Sequence, residues 1–221
     1  MAINKNDYFI FGSGGHGKVV LHTILALNKE AKVIFCDNNV ELLHSKILNV
    51  EIVGNFQHLL ALICDADVHI KGVIGIGQNS IRKKYFIAFH KARKNVFTTF
   101  LHPSAVIDSS VEIGVGSVVF ANAVLHPSAK IGENVIITTA AVVEHDCVVG
   151  SHSQVAPNAT LCGGVSVDND VMICAGAIVI PYKKIGSGVT VAAGAVVIND
   201  VPDNVLVAGC PARIVKEYKN E

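Results

Sequence analysis

Residues 131–155 read IGENVI-ITTAAV-VEHDCV-VGSHSQ-V, and an aliphatic residue begins each of these six-residue blocks. The rhythm extends outward from this stretch in both directions, over sixteen consecutive blocks in all. The aliphatic positions are Ile107, Ile113, Val119, Leu125, Ile131, Ile137, Val143, Val149, Val155, Leu161, Val167, Ile173, Val179, Ile185, Val191 and Val197. The position two residues earlier holds a small residue or valine in every block except one, where Lys183 stands.

A period of six matches neither the period of about 3.6 of an α-helix nor the alternation of an ordinary strand. It fits a chain that turns a corner every six residues, so that each short side sends one aliphatic side chain into a narrow prism. Three sides complete a coil, and successive coils pair as parallel strands about 4.8 Å apart. The sequence therefore predicts a parallel β-helix of about five coils. A β-sandwich, the alternative, would need alternating strands spaced about 8–12 residues apart.

The composition changes along the chain and divides it in two. Eight of the nine phenylalanines precede residue 101, and the sequence beyond is dominated by Val, Ile, Ala, Gly and Asn. Two different cores are implied. We predict a Rossmann-like α/β domain over residues 1–101 and a β-helix with a C-terminal tail over residues 102–221, which makes the protein mainly β.

Charge, hydropathy and cysteine spacing exclude several classes of protein. The net charge is zero, which argues against a general nucleic-acid binder. No run approaches the roughly 20 apolar residues of a membrane span, and the start MAINKNDYFIFG lacks the apolar region of a signal peptide. We therefore expect a cytoplasmic protein. The six cysteines form no C-x-x-C pair, which favours reduced thiols.

The first domain reads as a short βαβ arrangement. Strands are predicted over residues 8–11, 32–36 and 73–77, and helices over residues 18–27 and 80–93. Between the first strand and helix lies GSGGHG, residues 12–17, which matches G-x-G-x-x-G. Glycines let the backbone approach a diphosphate, and the helix N-terminus offers free N–H groups. About 100 residues hold only one mononucleotide-binding half, which favours a nucleotide-diphosphate sugar over NAD. A purely structural turn is the third alternative.

The repeat resembles that of the hexapeptide-repeat acyltransferases, whose left-handed β-helices assemble as trimers. A closer resemblance covers the whole chain. Its segments are GSGGHGKV, VIGIGQNSIRKK, HPSAVI, VVEHDCVVG and VAGCPARIV. They resemble the sialic acid O-acetyltransferase and nucleotide-aminosugar N-acetyltransferase (NeuD/PglD-like) family. Members acetylate a sugar with acetyl-CoA, often on the 4-amino group of a nucleotide-linked 4-amino-4,6-dideoxyhexose, for surface glycan synthesis.

The resemblance implies three groups of site residues. It places the catalytic base at His145, with Asp146 increasing its basicity; an imidazole that titrates near neutrality can take a proton from an attacking amine or hydroxyl. The substrate-binding residues implied are Gly14, Gly15, His16, Asp37, Asn38, Gly77 and Thr138. Those implied for acetyl-CoA, in the groove between neighbouring β-helices, are Gln154, Ala175, Gly176, Ala193, Gly194 and Arg213.

Some of these assignments have alternatives. Thr138 and Gln154 stand where relatives commonly carry Asn and His, so substrate positioning can differ here. The segment around Arg213 can equally be a strap closing the end of the prism, and its charge an ordinary solvated one. No metal is expected, because His126, His145 and His152 do not reproduce the H-x4-H pattern of the zinc-binding β-helical carbonic anhydrases. The rival functions are O-acetylation of sialic acid or another sugar, and a non-catalytic trimeric binding protein.

Overall fold

The computed structural model describes residues 7–218, and its contacts divide the chain between Phe100 and Leu101. The boundary predicted from composition lies one residue further along. Residues 1–6 of the first predicted domain and residues 219–221 of the second lie outside the described range.

The first unit is a three-layer α/β arrangement around a sheet of five strands. Its elements are β1 (Asp7–Phe11), α1 (Gly15–Leu27), β2 (Lys32–Cys36), a 3-10 turn (Val40–Leu42), β3 (Lys46–Ile47), β4 (Val50–Gly54), α2 (Phe56–Cys64), β5 (Lys71–Ile74) and α3 (Asn79–Ala92). The sheet order is β3-β4-β2-β1-β5, and all pairs are parallel except the β3–β4 hairpin. Phe9, Ile10 and Phe11 are buried, as expected of a central parallel strand covered on both faces.

The predicted strands and helices of this unit are present, with shifted bounds. Helix α1 begins at Gly15, three residues before the predicted start, because the glycine-rich loop itself enters the first turn. The sequence pattern assigns no element to residues 37–72, where the structure has β3, β4, α2 and the start of β5.

The sheet order fixes where a ligand can enter the first unit. The chain leaves β1 towards β2 on one side and later returns to place β5 on the other side. In open parallel sheets, ligands bind beyond the carboxyl ends of the strands at such a switch point. The loops that follow β1 and β5 therefore meet at one place, and helices α1 and α3 both begin there.

The second unit is a stack of two-residue strands. After β6 (Phe100–Leu101) they are β7 (Val106–Ile107), β8 (Glu112–Ile113), β9 (Val118–Val119), β10 (Val124–Leu125), β11 (Lys130–Ile131), β12 (Ile136–Ile137), β13 (Val142–Val143), β14 (Val148–Val149), β15 (Gln154–Val155), β16 (Thr160–Leu161), β17 (Ser166–Val167), β18 (Met172–Ile173), β19 (Ile178–Val179), β20 (Lys184–Ile185), β21 (Thr190–Val191) and β22 (Val196–Val197).

From β7 to β19, each strand pairs in parallel with the strand three places further on, so that the stack has three faces. Face A contains β9, β12, β15, β18 and β21; face B contains β7, β10, β13, β16, β19 and β22; face C contains β8, β11, β14, β17 and β20. Fourteen of the sixteen predicted aliphatic residues are buried in one core, and Ile107 and Ile113 are partly buried at its open end. The parallel β-helix predicted from the hexad repeat is confirmed.

Sharp corners join the faces, and every sixth residue from 116 to 194 adopts positive φ at a corner. Asn, Asp or Gly occupies most of these positions, since they enter the left-handed region at low cost. Ser128, Ala140, His152 and Tyr182 also adopt it, with φ between 56° and 64°. The C-terminal end of the stack is closed by β23 (Val205–Ala208), parallel to β21, and by β24 (Arg213–Glu217), antiparallel to β23.

Candidate active site

His145 stands on the corner between faces B and C. Val143 and Cys147 point into the core on either side, which leaves residues 144–146 to make the turn. The His145 side chain is 52% exposed, and its Nδ1 lies 2.8 Å from Asp146 Oδ2. Adjacent side chains of an extended chain point to opposite sides, but Asp146 has φ 60°, which turns its carboxylate onto the imidazole. A carboxylate that accepts from Nδ1–H leaves the Nε2 lone pair available for a proton.

The imidazole lies against the next coil. Gly163 follows His145 by 18 residues, and a Cβ added to it would come within 2.5 Å of His145 Nε2 and 2.6 Å of Cε1. Any side chain at this position would occupy the space of the ring. Glycine at position 163 therefore makes room for His145.

A second carboxylate shares this corner. Glu144 Oε1 lies 3.7 Å from Nε2 of His126 on the preceding coil, and both side chains are partly exposed. Sequence reasoning did not predict that Glu144 and His126 lie together at this corner. The signal was the 18-residue separation, which places two residues on the same corner of successive coils.

The residues predicted to hold acetyl-CoA lie on a different corner of the chain, between faces A and B. Gly176 and Gly194 adopt φ 66° and 67° there, and no atom lies within 4 Å of a Cβ added to either. Within residues 7–218, the backbone N–H groups of Ala175 and Ala193 have no hydrogen-bond acceptor. The corner is an open groove edge with free amide donors.

Thr138 and Gln154 lie beside this corner. Thr138 is buried, and its hydroxyl donates a 2.9 Å hydrogen bond to the carbonyl of Val155. Gln154 is the outward residue of β15, and its Oε1 is buried with no donor among the described residues. Arg213 lies exposed on β24 and donates to the carbonyl of Ala212 at 2.8 Å. Within one chain, the structure does not bring these residues together with His145.

The first unit contains a cavity of about 340 Å³ at its switch point. Its walls include all six of the residues predicted there, namely Gly14, Gly15, His16, Asp37, Asn38 and Gly77. Phe11, Ile76, Ile81 and Tyr85 contribute the apolar part of the lining. The structure thus assembles the predicted nucleotide-site residues into one pocket.

Asp37 anchors the glycine-rich loop. Its Oδ2 accepts hydrogen bonds from Ser13 N–H and from the Ser13 hydroxyl, both at 2.7 Å, and its Oδ1 accepts from Asn39 N–H at 2.9 Å. Burial favours the neutral acid, but these hydrogen bonds and one from Asn38 outweigh it, so the pKa of Asp37 lies below its usual value. The carboxylate is ionised and holds the loop against β2.

Asn38 and His16 complete the polar part of the pocket. Asn38 Nδ2 donates to the hydroxyl of Tyr85 at 2.7 Å, and its Oδ1 accepts from Phe56 N–H at 3.0 Å. Burial, with the Arg82 guanidinium as a second cause, lowers the pKa of His16 to about 4. His16 is therefore neutral near pH 7. Sequence reasoning missed Ser13, Tyr85 and Arg82, although all three lie in or beside the quoted glycine-rich and IGIGQNSIRKK segments.

Comparisons with known proteins agree with this description. Residues 7–89 match the family model of the PglD N-terminal domain. PerB from Caulobacter crescentus, solved with CoA and GDP-perosamine, superposes with a TM-score of 0.86 at 34% identity, over 98% of this chain and all of PerB. This chain belongs to the PglD-like sugar N-acetyltransferase family. The recognition from sequence and the predicted fold class, a left-handed β-helix behind a small Rossmann-like domain, are confirmed.

Two further relatives of this PglD-like protein are informative. The acetyltransferase domain of PglB from Neisseria gonorrhoeae FA1090, solved with acetyl coenzyme A, matches with a TM-score of 0.88 at 31% identity, over 95% of this chain and 99% of that domain. UDP-N-acetylbacillosamine N-acetyltransferase of Bacillus subtilis (strain 168) is 37% identical over 113 residues, which is 51% of this chain and 50% of that enzyme. The aligned segments span half or less of the curated relatives' own lengths.

Neither a metal cluster nor a membrane span occurs in the described part of the chain. Residues 7–218 contain no group of three or more His, Cys, Asp or Glu side chains arranged to hold a metal ion. None of the helices in that range is long and apolar enough to cross a membrane.

Proposed function

We propose that this PglD-like protein transfers the acetyl group of acetyl-CoA to the amino group of a nucleotide-linked 4-amino-4,6-dideoxy sugar, in surface glycan synthesis. The observation that carries the proposal is the exposed pair of His145 and Asp146, whose Nδ1–Oδ2 contact of 2.8 Å leaves Nε2 free to act as a base. A pocket of about 340 Å³ at the switch point of the first unit supplies the place for the nucleotide.

The relatives support this substrate class. PerB was solved with CoA and GDP-perosamine together, and the B. subtilis relative is named for UDP-N-acetylbacillosamine. Both substrates are nucleotide sugars. A nucleotide-binding first domain favours such an acceptor over free sialic acid, which has no diphosphate to bind.

In the mechanism, His145 acts as general base through Nε2. It accepts a proton from the sugar amine as the nitrogen attacks the thioester carbonyl carbon, and Asp146 stabilises the imidazolium that forms. A backbone N–H of an adjacent subunit stabilises the oxyanion of the tetrahedral intermediate. The carbon–sulfur bond then breaks, the amide is formed, and the imidazolium returns the proton to the thiolate of CoA.

We propose that the active form is a homotrimer with its active sites between subunits. His145 and the acetyl-CoA residues lie on different corners of one chain, so a groove that contains both is completed by a neighbouring copy. Face B, between these corners, is apolar on its outer side. Its outward residues are Val106, Val124, Val142, Thr160, Ile178 and Val196. Burial of an apolar strip of this kind between subunits is favourable.

The acetyl-CoA assignment rests on the open corner between faces A and B. The amide groups of the pantetheine arm need hydrogen-bond donors close to the backbone. The free N–H groups of Ala175 and Ala193 provide them, and Gly176 and Gly194 leave the approach clear. Gln154 lies beside this corner, and its side-chain amide must turn outward to bind the ligand, because its Oε1 is buried with no donor among the described residues. Arg213 is exposed on the closing strand, and we assign it to neutralise a CoA phosphate.

The test is release of CoA thiol from acetyl-CoA with UDP-, dTDP- and GDP-linked 4-amino-4,6-dideoxy sugars, with free sialic acid as the competing acceptor. At least one amino sugar is expected to support turnover, and His145→Ala is expected to lower kcat by about 10²–10⁴-fold. Turnover with sialic acid alone would favour the O-acetyltransferase. Near-normal turnover by a folded His145→Ala trimer would remove His145 from the mechanism, and absence of acetyl-CoA binding in calorimetry would favour a non-catalytic protein.

A further inference from the structure

The nucleotide pocket has an unusual charge balance for a site proposed to bind a diphosphate. None of the described residues that line it is a lysine or an arginine, and Asp37 is an ionised carboxylate in its wall. A diphosphate brings two or more negative charges into this space. Positive potential must therefore come from backbone N–H groups of the pocket wall and from groups behind it.

Arg82 is such a group. It belongs to α3, is only 1% exposed and is the largest fully buried side chain of the described chain. Its Nη1 lies 3.0 Å from the carbonyl oxygen of Gly77 and 3.4 Å from that of Ile76, and its Nη2 donates to Asn79 Oδ1 at 2.8 Å. Gly77 and Ile76 line the pocket, so the guanidinium lies directly behind them.

The contacts with Arg82 determine how the turn after β5 is oriented. In a trans peptide the C=O and N–H groups point in opposite directions. Because the carbonyls of Ile76 and Gly77 point to Arg82, the N–H groups of Gly77 and Gln78 point away from it. Within residues 7–218, neither of these two amides has a hydrogen-bond acceptor. Two free donors therefore face away from the buried cation.

Both helices that begin at the pocket are open at their N-termini. The N-cap residues, Gly14 of α1 and Gln78 of α3, make no side-chain capping hydrogen bond, and neither helix has an acidic residue in its first turn. Uncapped helix N-termini with free N–H groups attract anions. The two loops are neighbours, since a Cβ added to Gly77 would lie 3.9 Å from His16 Cβ.

We infer that residues 77–79, held from behind by Arg82, form a second phosphate-binding loop, so that the diphosphate of the substrate lies between the N-termini of α1 and α3. Arg82 is a positioning residue that orients the turn and supplies a buried positive charge. This inference rests on the proposed function and specifies how its nucleotide sugar is held. The lowered pKa of His16, caused first by burial and then by Arg82, agrees with a field from Arg82 that reaches the opposite loop.

The experiment measures ligand affinity by isothermal titration calorimetry on the full-length chain. The ligands are nucleoside, nucleoside monophosphate and nucleoside diphosphate of uridine, thymidine and guanosine, and the series that binds best is used. For the wild type, affinity is expected to rise at least tenfold from the monophosphate to the diphosphate. Arg82→Gln should lower diphosphate affinity about 10- to 100-fold and nucleoside affinity less than about 3-fold. Arg82→Lys should give an intermediate loss, because it keeps the charge but not the planar fork.

A matched control is Arg93→Gln. Arg93 also donates to backbone carbonyls, those of Ile63 at 2.9 Å and Val68 at 2.8 Å, but it does not line the nucleotide pocket. Its replacement should leave diphosphate affinity unchanged. The titration of His16, followed by NMR, distinguishes an electrostatic role of Arg82 from a merely structural one. Arg82→Gln should raise the pKa of His16.

Three results would overturn the inference. They are unchanged diphosphate affinity in folded Arg82→Gln, wild-type affinity that does not increase from nucleoside to diphosphate, and wild-type diphosphate affinity that falls more than about tenfold between 50 and 300 mM salt. The last would indicate solvent-exposed cations, because a buried charge is weakly screened. The wild-type measurements hold even if Arg82→Gln does not fold. Failure of the proposed function would instead appear as a wild-type enzyme that binds nucleotides but releases no CoA.

Discussion

Replacing Gly163 by alanine is expected to disable catalysis without unfolding the coil. An added Cβ would lie 2.5 Å from His145 Nε2 and 2.6 Å from Cε1. Ordinary contacts between such atoms begin near 3.5 Å, so the imidazole must move by about 1 Å. Because the His145 side chain is 52% exposed, it can move outward, and the stability of the protein should change little.

The displaced ring would no longer meet the acceptor amine in the productive geometry. A misplacement of about 1 Å can cost on the order of 10²-fold in rate, which corresponds to about 2.7 kcal/mol in the activation free energy. We therefore expect kcat of Gly163→Ala to fall about 100-fold in the CoA-release assay. Affinity for acetyl-CoA, measured by calorimetry, should stay within about 3-fold of the wild type.

The matched control is Gly132→Ala, on the corner between faces C and A. A Cβ there would crowd Ser151, at 2.7 Å from its N and 2.8 Å from its Oγ, instead of the His145 ring. This variant strains the backbone of the neighbouring coil and not an exposed side chain, so it should lose more stability than Gly163→Ala, but the folded protein should keep its kcat. An equal loss in both variants, or a normal kcat in Gly163→Ala, would refute the argument that glycine at position 163 makes room for His145.

Four further perturbations have definite expected outcomes. Asp146→Asn weakens the charge-assisted hydrogen bond to His145 and should lower kcat about 10- to 100-fold; an unchanged kcat would show that the carboxylate is dispensable. Asp37→Asn should weaken nucleotide diphosphate binding about tenfold in calorimetry and spare acetyl-CoA binding, and a loss of both would indicate general unfolding instead. Ile178→Glu should convert the proposed trimer to monomers in size-exclusion chromatography with light scattering, and a trimer that persists would exclude face B as the interface. The pKa of His16, about 4, lies below its unfolded value, so the unfolded chain binds the proton first and the free energy of unfolding falls as the pH drops from about 6.5 towards 4. Urea titrations at pH 7 and 4.5 measure this fall, and His16→Gln should make it about 2 kcal/mol smaller. An identical fall in the wild type and the variant would contradict the lowered pKa.

The fold of the second unit could be predicted because its signal is periodic. One aliphatic side chain per six residues must enter the prism, so the period itself fixes the geometry. Residues 37–72 of the first unit carry no six-residue rhythm. Helix α2 does show an amphipathic pattern, with Phe56, Leu59, Leu60 and Ile63 at helical spacing, and sequence reasoning overlooked it. The start of α1 was misplaced because Gly15 is a poor helix former, yet the loop that contains it continues directly into the helix.

The candidate site was predicted unevenly, and the reason is physical. Residues that act through the backbone, such as Gly14 and Gly77, were found because glycines at this spacing after a strand are typical of a phosphate-binding turn. Arg82 was missed because an arginine in a sequence of charged residues reads as an exposed helix face, and only the packing shows that it is buried. The contact between His145 and Asp146 depends on the positive φ of Asp146, which the local sequence does not specify.

The repeat also explains why a histidine occupies one particular corner position in a single coil. In each block the aliphatic residue and the small residue two positions before it point into the core. The residue three positions after the aliphatic one lies at the corner and must tolerate positive φ. The position just before that residue is free to vary, and on the corner between faces B and C it is filled by Ser109, Pro127, His145, Gly163 and Pro181. Of these only histidine can exchange a proton near neutral pH. Serine and the prolines cannot, and Gly163 leaves the space into which the imidazole of His145 fits, so this position of the corner supplies one base beside the face expected to meet a neighbouring subunit.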